Sequence, residues 1–151
     1  MSDCPLKQTI IDAMKSAMRN QEKARLGTIR LIQAALKQKE VDERVELTDQ
    51  DVLTILDKMV KQRKESIKQY TAADRQDLAD QEATEIEVIQ TFLPAQLSAA
   101  EVDTMIAEAM AQTGATSMQD TGKVMGVLKP QLQGRADMGA VSQKIKHALS
   151  A

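Results

Sequence analysis

Apolar residues recur at helical spacing along almost the whole chain, and this periodicity limits the fold more than any other feature. Near the start, Leu6, Ile10 and Met14 lie one turn apart, as on the buried face of an amphipathic helix. Comparable stripes run through residues 22–44, 48–70 and 74–92, and shorter helices are expected after Ser98, Ser117 and Asp137. No segment requires a strand. The sequence therefore predicts an all-α fold.

The stretch "LPAQLS", residues 93–98, predicts a boundary between two domains. Pro94 disfavours helix at the residue before it, and Ser98 with Glu101 forms a capping box that begins a new helix. Thr48 and Asp51 form a similar box ahead of the third helix. We therefore expect a four-helix N-terminal domain at 1–94 and a small three-helix domain at 95–151.

The composition excludes several functional classes. Tyr70 and Phe92 are the only aromatic residues, so modules that stack RNA bases on aromatic rings are excluded. The single cysteine, Cys4, and the single histidine, His147, cannot supply a disulfide or the ligands of a typical zinc site. No phosphate-binding glycine loop is present. We expect no catalytic residue, no metal and no cofactor.

The N-terminal sequence and the hydropathy predict where the protein is found. No apolar run approaches the roughly 20 residues that a membrane span needs. The first residues, MSDCPLKQTI, lack the basic and apolar stretches of a secretory signal. The sequence therefore predicts a cytoplasmic protein with no membrane association.

Charge is unevenly distributed along the chain. Residues 1–39 carry eight Lys/Arg against three Asp/Glu, residues 40–120 seven against eighteen, and residues 121–151 five against one. Lys23, Arg30 and Lys37 recur every seven residues and form a ridge about 21 Å long on the second helix. Such charges either solvate a helix face or form a track for a polyanion.

One charged residue falls inside an apolar stripe. Arg63 projects into the middle of the buried face of the third helix, while Glu82 and Glu85 lie on the apolar face of the fourth. A buried guanidinium requires a carboxylate partner. We therefore assign Arg63, Glu82 and Glu85 a structural role, as an ion pair that fixes the register of two helices.

Five of the six glycines lie between residues 114 and 139. Gly114 and Gly134 fall where helices end and are expected to be C-caps. Gly122 and Gly126 lie on one helix face, where a neighbouring helix or an external sugar-phosphate backbone could approach; we assign them to packing. Asp137 is expected to cap the last helix, and helix N-termini near Gly122 and Gly139 could offer N–H groups to an anion.

Several of these segments resemble the YqeY family. The similarity is carried by ARLGTIRLIQAALKQKEVD, by KQRKESIKQYTAADRQDLADQEATEIEVIQTFLPAQLS and by TGATSMQDTGKVMGVLKPQLQGRADMGAVSQKIK. The most specific motif is TGKVMG followed by GRADMG, in which Thr121 replaces a methionine and Met138 is an additional residue. Members are free-standing relatives of the tail of the B subunit of glutamine-dependent aminoacyl-tRNA amidotransferase.

The resemblance implies an N-terminal helical bundle followed by a three-helix tail domain that helps to hold tRNA. The catalytic parts of the amidotransferase are not implied, so an amidotransferase label would rest on homology alone. We expect a non-catalytic tRNA-associated module, with a protein partner in aminoacyl-tRNA metabolism also possible. The expected RNA contacts are Lys123, Lys129, Arg135 and Lys144, with Lys23, Arg30 and Lys37. The alternative is a helical protein–protein adaptor that binds no RNA.

Overall fold

A computed structural model describes residues 4–150, and the chain there is helical from end to end. The α-helices are α1 Pro5–Arg19, α2 Lys23–Glu43, α3 Asp49–Ala72, α4 Gln76–Gln90, α5 Ala99–Thr113, α6 Thr121–Leu132 and α7 Met138–Ser150. A 3-10 turn, Met118–Asp120, directly precedes α6. Since no strand occurs within residues 4–150, the predicted all-α class is confirmed.

Two helices begin at the capping boxes that the sequence predicts. At α3, the Asp51 N–H donates to Thr48 Oγ1 at 3.2 Å and the Thr48 N–H donates to Asp51 Oδ2 at 3.0 Å. At α5, Ser98 and Glu101 exchange the same pair of bonds, at 3.1 and 3.3 Å. Each box satisfies two N–H groups that a helix start would otherwise leave unpaired.

Glycine ends two of the helices, and other residues turn the chain elsewhere. Gly114 after α5 and Gly134 after α6 have φ of +67° and +79°, a conformation in which a side chain is strained. The left-handed region is also occupied by Gln21, Arg44 and Asp74, with φ between 53° and 58°. Nothing in the sequence pattern marks these three positions.

The helices form two compact units that divide between Pro94 and Ala95, and each unit has its own apolar core. The core of the first unit is built mainly from aliphatic side chains of α1 to α4, among them Ile10, Ile29, Ile32, Leu56 and Ile89. The core of the second unit contains Val102, Ile106, Val124, Leu128, Leu132, Val141 and Ile145.

Residues 95–97 are bound to the segment that follows α6. The Leu97 N–H donates to the Arg135 carbonyl at 2.9 Å, and Gln96 Nε2 donates to the Gly134 carbonyl at 2.7 Å. Arg135 Nε in turn approaches the Ala95 carbonyl at 3.4 Å. The GRAD sequence at 134–137 therefore fixes the start of the second unit, a role that its glycine and arginine do not reveal in the sequence.

An interhelical ion pair joins α3 to α4. Arg63 Nε lies 2.9 Å from Glu85 Oε2 and 4.0 Å from Glu82 Oε2, and Arg63 Nη1 donates to the Met59 carbonyl at 3.3 Å. The side chains of Arg63 and Glu85 are only 14% and 16% exposed. Glu85 is therefore the main partner, and Glu82 adds a weaker electrostatic contact.

Removing the carboxylates should cost more stability than removing the guanidinium. Glu82→Ala combined with Glu85→Ala leaves a largely buried cation unpaired, and we expect a loss of about 3 kcal/mol in the free energy of unfolding. Arg63→Met fills the same space with apolar atoms and should cost less than about 1 kcal/mol. Denaturant titration followed by circular dichroism measures both.

The matched control is the exposed pair between Arg75 and Asp77, whose side chains are 56% and 66% exposed. Asp77→Ala should change stability much less than the Glu82/Glu85 double substitution, since solvent screens such a pair. Equal effects of the Glu82/Glu85 and Asp77 substitutions would show that the Arg63 pair contributes no more than a surface contact.

Candidate functional site

The outward face of α6 presents bare backbone to solvent. Gly122 and Gly126 are exposed, and a Cβ atom built on either one has no heavy atom within 4 Å. The opposite face of the helix is buried through Val124, Leu128 and Leu132. The assignment of Gly122 and Gly126 to helix packing is therefore wrong: no helix covers them in the part of the chain that the structure describes.

Pro130 ends this bare face one turn later. It is exposed, lies four residues after Gly126 and belongs to the interior of α6. Proline has no N–H, so the carbonyl of Gly126 loses the donor that it would have in a regular helix, and the proline ring crowds that carbonyl. The accessible backbone of α6 is therefore the stretch at Gly122 and Gly126.

Two lysines flank the bare face of α6. The side chain of Lys123 is 71% exposed, and its Nζ lies 3.8 Å from Asp120 Oδ1. Lys129 is exposed and makes no ion pair within residues 4–150. At 100° per residue, the two lysines are about 120° apart around the helix, on either side of Gly126. The result is a strip of accessible backbone with a cation along each edge.

Arg135 and Lys144 have different surroundings from the lysines of α6. Arg135 is partly buried and holds residues 95–97, as described above. Lys144, on α7, pairs with Asp103 Oδ1 at 2.8 Å and lines a groove with Leu97 and Ala140. Arg135 is therefore a structural residue of the second unit. Lys144 remains a surface cation, and because its ion pair with Asp103 is exposed, a stronger anion could displace Asp103.

The helix N-termini near Gly122 and Gly139 do not provide open anion sites. The Gly139 N–H donates to Asp137 Oδ1 at 2.9 Å, so the carboxylate of the same chain caps α7. Asp120 lies at the start of α6, where its Oδ2 accepts from the N–H groups of Thr116 and Ser117 at 2.9 and 3.2 Å. A negative charge already occupies each position.

The ridge on α2 is solvent-exposed. Lys23, Arg30 and Lys37 make no ion pair within the described residues, so their charges are available to a partner. Leu31 and Val41 are also exposed on this helix, at 46% and 59%. Neither interpretation of the ridge, as solvated cations or as a track for a polyanion, takes these apolar neighbours into account.

The remaining reactive groups are engaged within the fold. Cys4 is buried, and its Sγ donates to Asp49 Oδ1 at 3.1 Å. Burial and this bond raise the pKa of the Cys4 thiol, which disfavours the nucleophilic thiolate.

Within residues 4–150, no group of three or more His, Cys, Asp and Glu side chains is placed to hold a metal ion. No helix in the same range is long and apolar enough to cross a bilayer.

Comparison with known proteins identifies relatives over almost the full length. A sequence model of the YqeY family, described as Yqey-like protein, matches residues 7–149. A relative from Pyrenophora tritici-repentis, named altered inheritance of mitochondria protein 41, mitochondrial, is 30% identical over 91% of this chain and 77% of its own length.

Two further relatives are shorter matches. An uncharacterized protein of Schizosaccharomyces pombe is 32% identical over 59% of this chain and 69% of its own length. A Kluyveromyces lactis protein, which carries the same name as the Pyrenophora relative, is 35% identical over 63% of this chain and 53% of its own length.

These names overturn the expectation of a cytoplasmic protein, because relatives from several fungi are named as mitochondrial. The expectation rested on the missing secretory signal. Export requires an apolar signal segment, so the absence of one argues only against export. It does not distinguish the cytoplasm from the mitochondrion.

Substitutions of two glycines to alanine should have opposite effects. At Gly126 the space is open and the backbone is helical, so Gly126→Ala should raise the free energy of unfolding by roughly 0.5–1 kcal/mol. At Gly134 φ is +79°, and Gly134→Ala should lower it by about 1 kcal/mol. Urea titrations of both variants provide the measurement. Destabilisation by Gly126→Ala would show that this face is covered.

The stability of the start of α6 should depend on acid. The N–H groups of Thr116 and Ser117 hold the pKa of Asp120 below its ordinary value of 3.8. This contribution is complete above the unfolded pKa and is lost as the pH falls through the lower folded pKa. Asp120→Asn should therefore be less stable than wild type at neutral pH. The difference in the free energy of unfolding between wild type and Asp120→Asn should narrow below about pH 4. Denaturation curves in which this difference stays constant down to low pH would contradict the prediction.

Proposed function

Because the chain belongs to the YqeY family, we propose that it is a non-catalytic module that binds tRNA through its second helical unit. The unit formed by α5, α6 and α7 would correspond to the tail domain of the amidotransferase B subunit. In this proposal the four helices α1 to α4 form the first part of a 4+3 arrangement and do not take part in amidation. The RNA-binding surface is the outward face of α6.

The observation that carries the proposal is the pairing of bare backbone with cations on α6. Gly122 and Gly126 allow a sugar-phosphate chain to approach the helix more closely than any other residues would. Lys123 and Lys129 can each contact a phosphate from the two edges of this strip. These contacts are independent of base identity, which agrees with the near absence of aromatic residues.

The acidic residues of the chain should weaken any RNA binding that relies on long-range electrostatic attraction. Residues 40–120 are strongly acidic, and Asp120 lies at the start of α6 itself. Binding should therefore require close contact at the strip and be weak at high salt.

A second function, docking to another protein, is favoured by a different surface, the outward face of α2.

Loss of the two lysines should reduce binding to every tRNA by a similar factor. Lys123→Glu combined with Lys129→Glu removes two phosphate contacts, so the slope of log affinity against log salt should flatten by roughly 1.4–1.8. Total tRNA titrated at two salt concentrations, with fluorescence anisotropy as the readout, measures both effects. Lys15→Glu with Lys58→Glu is the matched control, since it alters net charge equally on exposed residues of the other unit.

A bulky residue at Gly126 separates binding from stability. Position 126 is exposed and an added Cβ there meets no heavy atom within 4 Å, so the melting temperature of Gly126→Leu should not fall, whereas its tRNA binding should weaken. Wild type that fails to bind tRNA at low salt would refute the proposal. Unchanged binding by both the lysine variant and Gly126→Leu would place any RNA contact elsewhere.

A further inference from the structure

Helix α2 carries a second apolar seam, which faces solvent. Its inward face is buried through Ile29, Ile32 and Leu36. On its outward face, six exposed positions are separated alternately by three and four residues: Ala24, Gly27, Leu31, Ala34, Gln38 and Val41. This spacing is that of the a and d positions of a coiled coil, sustained over three heptads. We call these six residues the outer seam.

The outer seam is suited to close contact with another helix. Leu31 and Val41 are 46% and 59% exposed, so about half of their surface remains accessible to a partner. The seam also contains the small residues Ala24, Gly27 and Ala34, and a Cβ atom at Gly27 would meet nothing within 4 Å. Small residues let a partner helix approach closely, while Leu31 and Val41 supply the apolar contact.

The three cations of the α2 ridge all occupy the same heptad position of this repeat. Lys23, Arg30 and Lys37 each directly precede an a position, which makes them g residues. In coiled coils, g residues pair with charges on the partner helix and select it. None of the three makes an ion pair within residues 4–150. The partner helix must therefore be acidic along the facing edge.

The first half of the outer seam also forms the wall of a groove. Ala24, Gly27 and Leu31 line it from α2. Gln81, Thr84 and Glu85 line it from α4, and the carboxylate of Glu85 is neutralised by its ion pair with Arg63. The groove has a volume of about 540 Å³ and carries Lys23 at its rim. A helix lying on the seam would thus contact two helices of the first unit over part of its length.

We infer that the outward face of α2 is a docking site for an acidic amphipathic helix of a partner protein. This inference uses residues of the first unit alone and does not depend on RNA binding by α6. An RNA backbone would use the cations but gain nothing from Leu31 and Val41. The seam and the ridge together therefore favour a protein helix over a polyanion.

A second copy of this chain fits the surface less well. Antiparallel pairing of two α2 helices brings the cationic edge of one against that of the other. In parallel pairing, the facing e positions are Thr28, Ala35 and Asp42, so only one of the three offers an acidic group. The charges therefore select a different chain.

The test uses two synthetic three-heptad peptides and the full-length protein. Both peptides carry leucine at a and d; one has glutamate at e and g, and the other has lysine there. Fluorescence anisotropy of the labelled peptides should show that the protein prefers the acidic peptide by about tenfold or more. Leu31→Ser with Val41→Ser should weaken this binding by about tenfold.

Charge reversal supplies a stricter criterion. Lys23→Glu, Arg30→Glu and Lys37→Glu together should reverse the preference, so that the lysine peptide binds more tightly. The matched control, Lys15→Glu with Lys58→Glu and Lys64→Glu, changes net charge equally at exposed positions and should keep the original preference. Circular dichroism verifies that each variant is folded. Lys123→Glu with Lys129→Glu should leave peptide binding unchanged, which separates this site from the RNA proposal.

Four results would overturn the inference. They are failure of the acidic peptide to bind, equal binding of both peptides, binding that is insensitive to the Leu31 and Val41 substitutions, and a preference that survives charge reversal. Loss of tRNA binding in the charge-reversed variant, with normal tRNA binding by the Leu31/Val41 variant, would identify a polyanion track instead. A dimer in sedimentation experiments that the Leu31/Val41 variant abolishes would identify a second copy as the occupant.

Discussion

Each helix of this chain has to bury its own stripe of aliphatic side chains, and the whole structure depends on this requirement. With one tyrosine and one phenylalanine in 151 residues, aliphatic side chains must fill nearly all of the space between the helices. The stripes must therefore start and end at defined residues. Capping boxes at Thr48 and Ser98 set two of these starts, and Arg63 with Glu85 holds the register of α3 against α4.

Once the inward stripes are buried, the outward faces of α2 and α6 stand apart from ordinary polar surface. Both contain glycine with open space above it, and both carry cations at their edges. They differ in what lies beside the cations. On α6 it is backbone, whereas on α2 it is a heptad-spaced seam of mostly small and apolar residues. Bare backbone suits a ribose-phosphate chain, and an apolar seam suits another helix.

Local signals in the sequence were sufficient for the helices, their caps and the Arg63 pair, because periodicity and capping act within a few residues. The environment of Gly122 and Gly126 could not be predicted in this way, since periodicity shows that two residues share a face but not what covers that face. The outer seam of α2 was readable from its alternating steps of three and four. It is recognised only when a helix is allowed a second stripe beside its buried one, because the first stripe already accounts for the fold.

The position of Arg135 changes how many cations can serve RNA binding. Its side chain approaches the Ala95 carbonyl and its backbone holds Leu97, so charge reversal there would disturb the start of the second unit as well as any phosphate contact. Lys144 is already paired with Asp103, and Lys123 lies near Asp120. Lys129 alone among the four has no competing carboxylate or structural role in the described chain. A surface with so few free cations must bind through close approach rather than through a broad electrostatic field, and this is the property that the glycines of α6 provide.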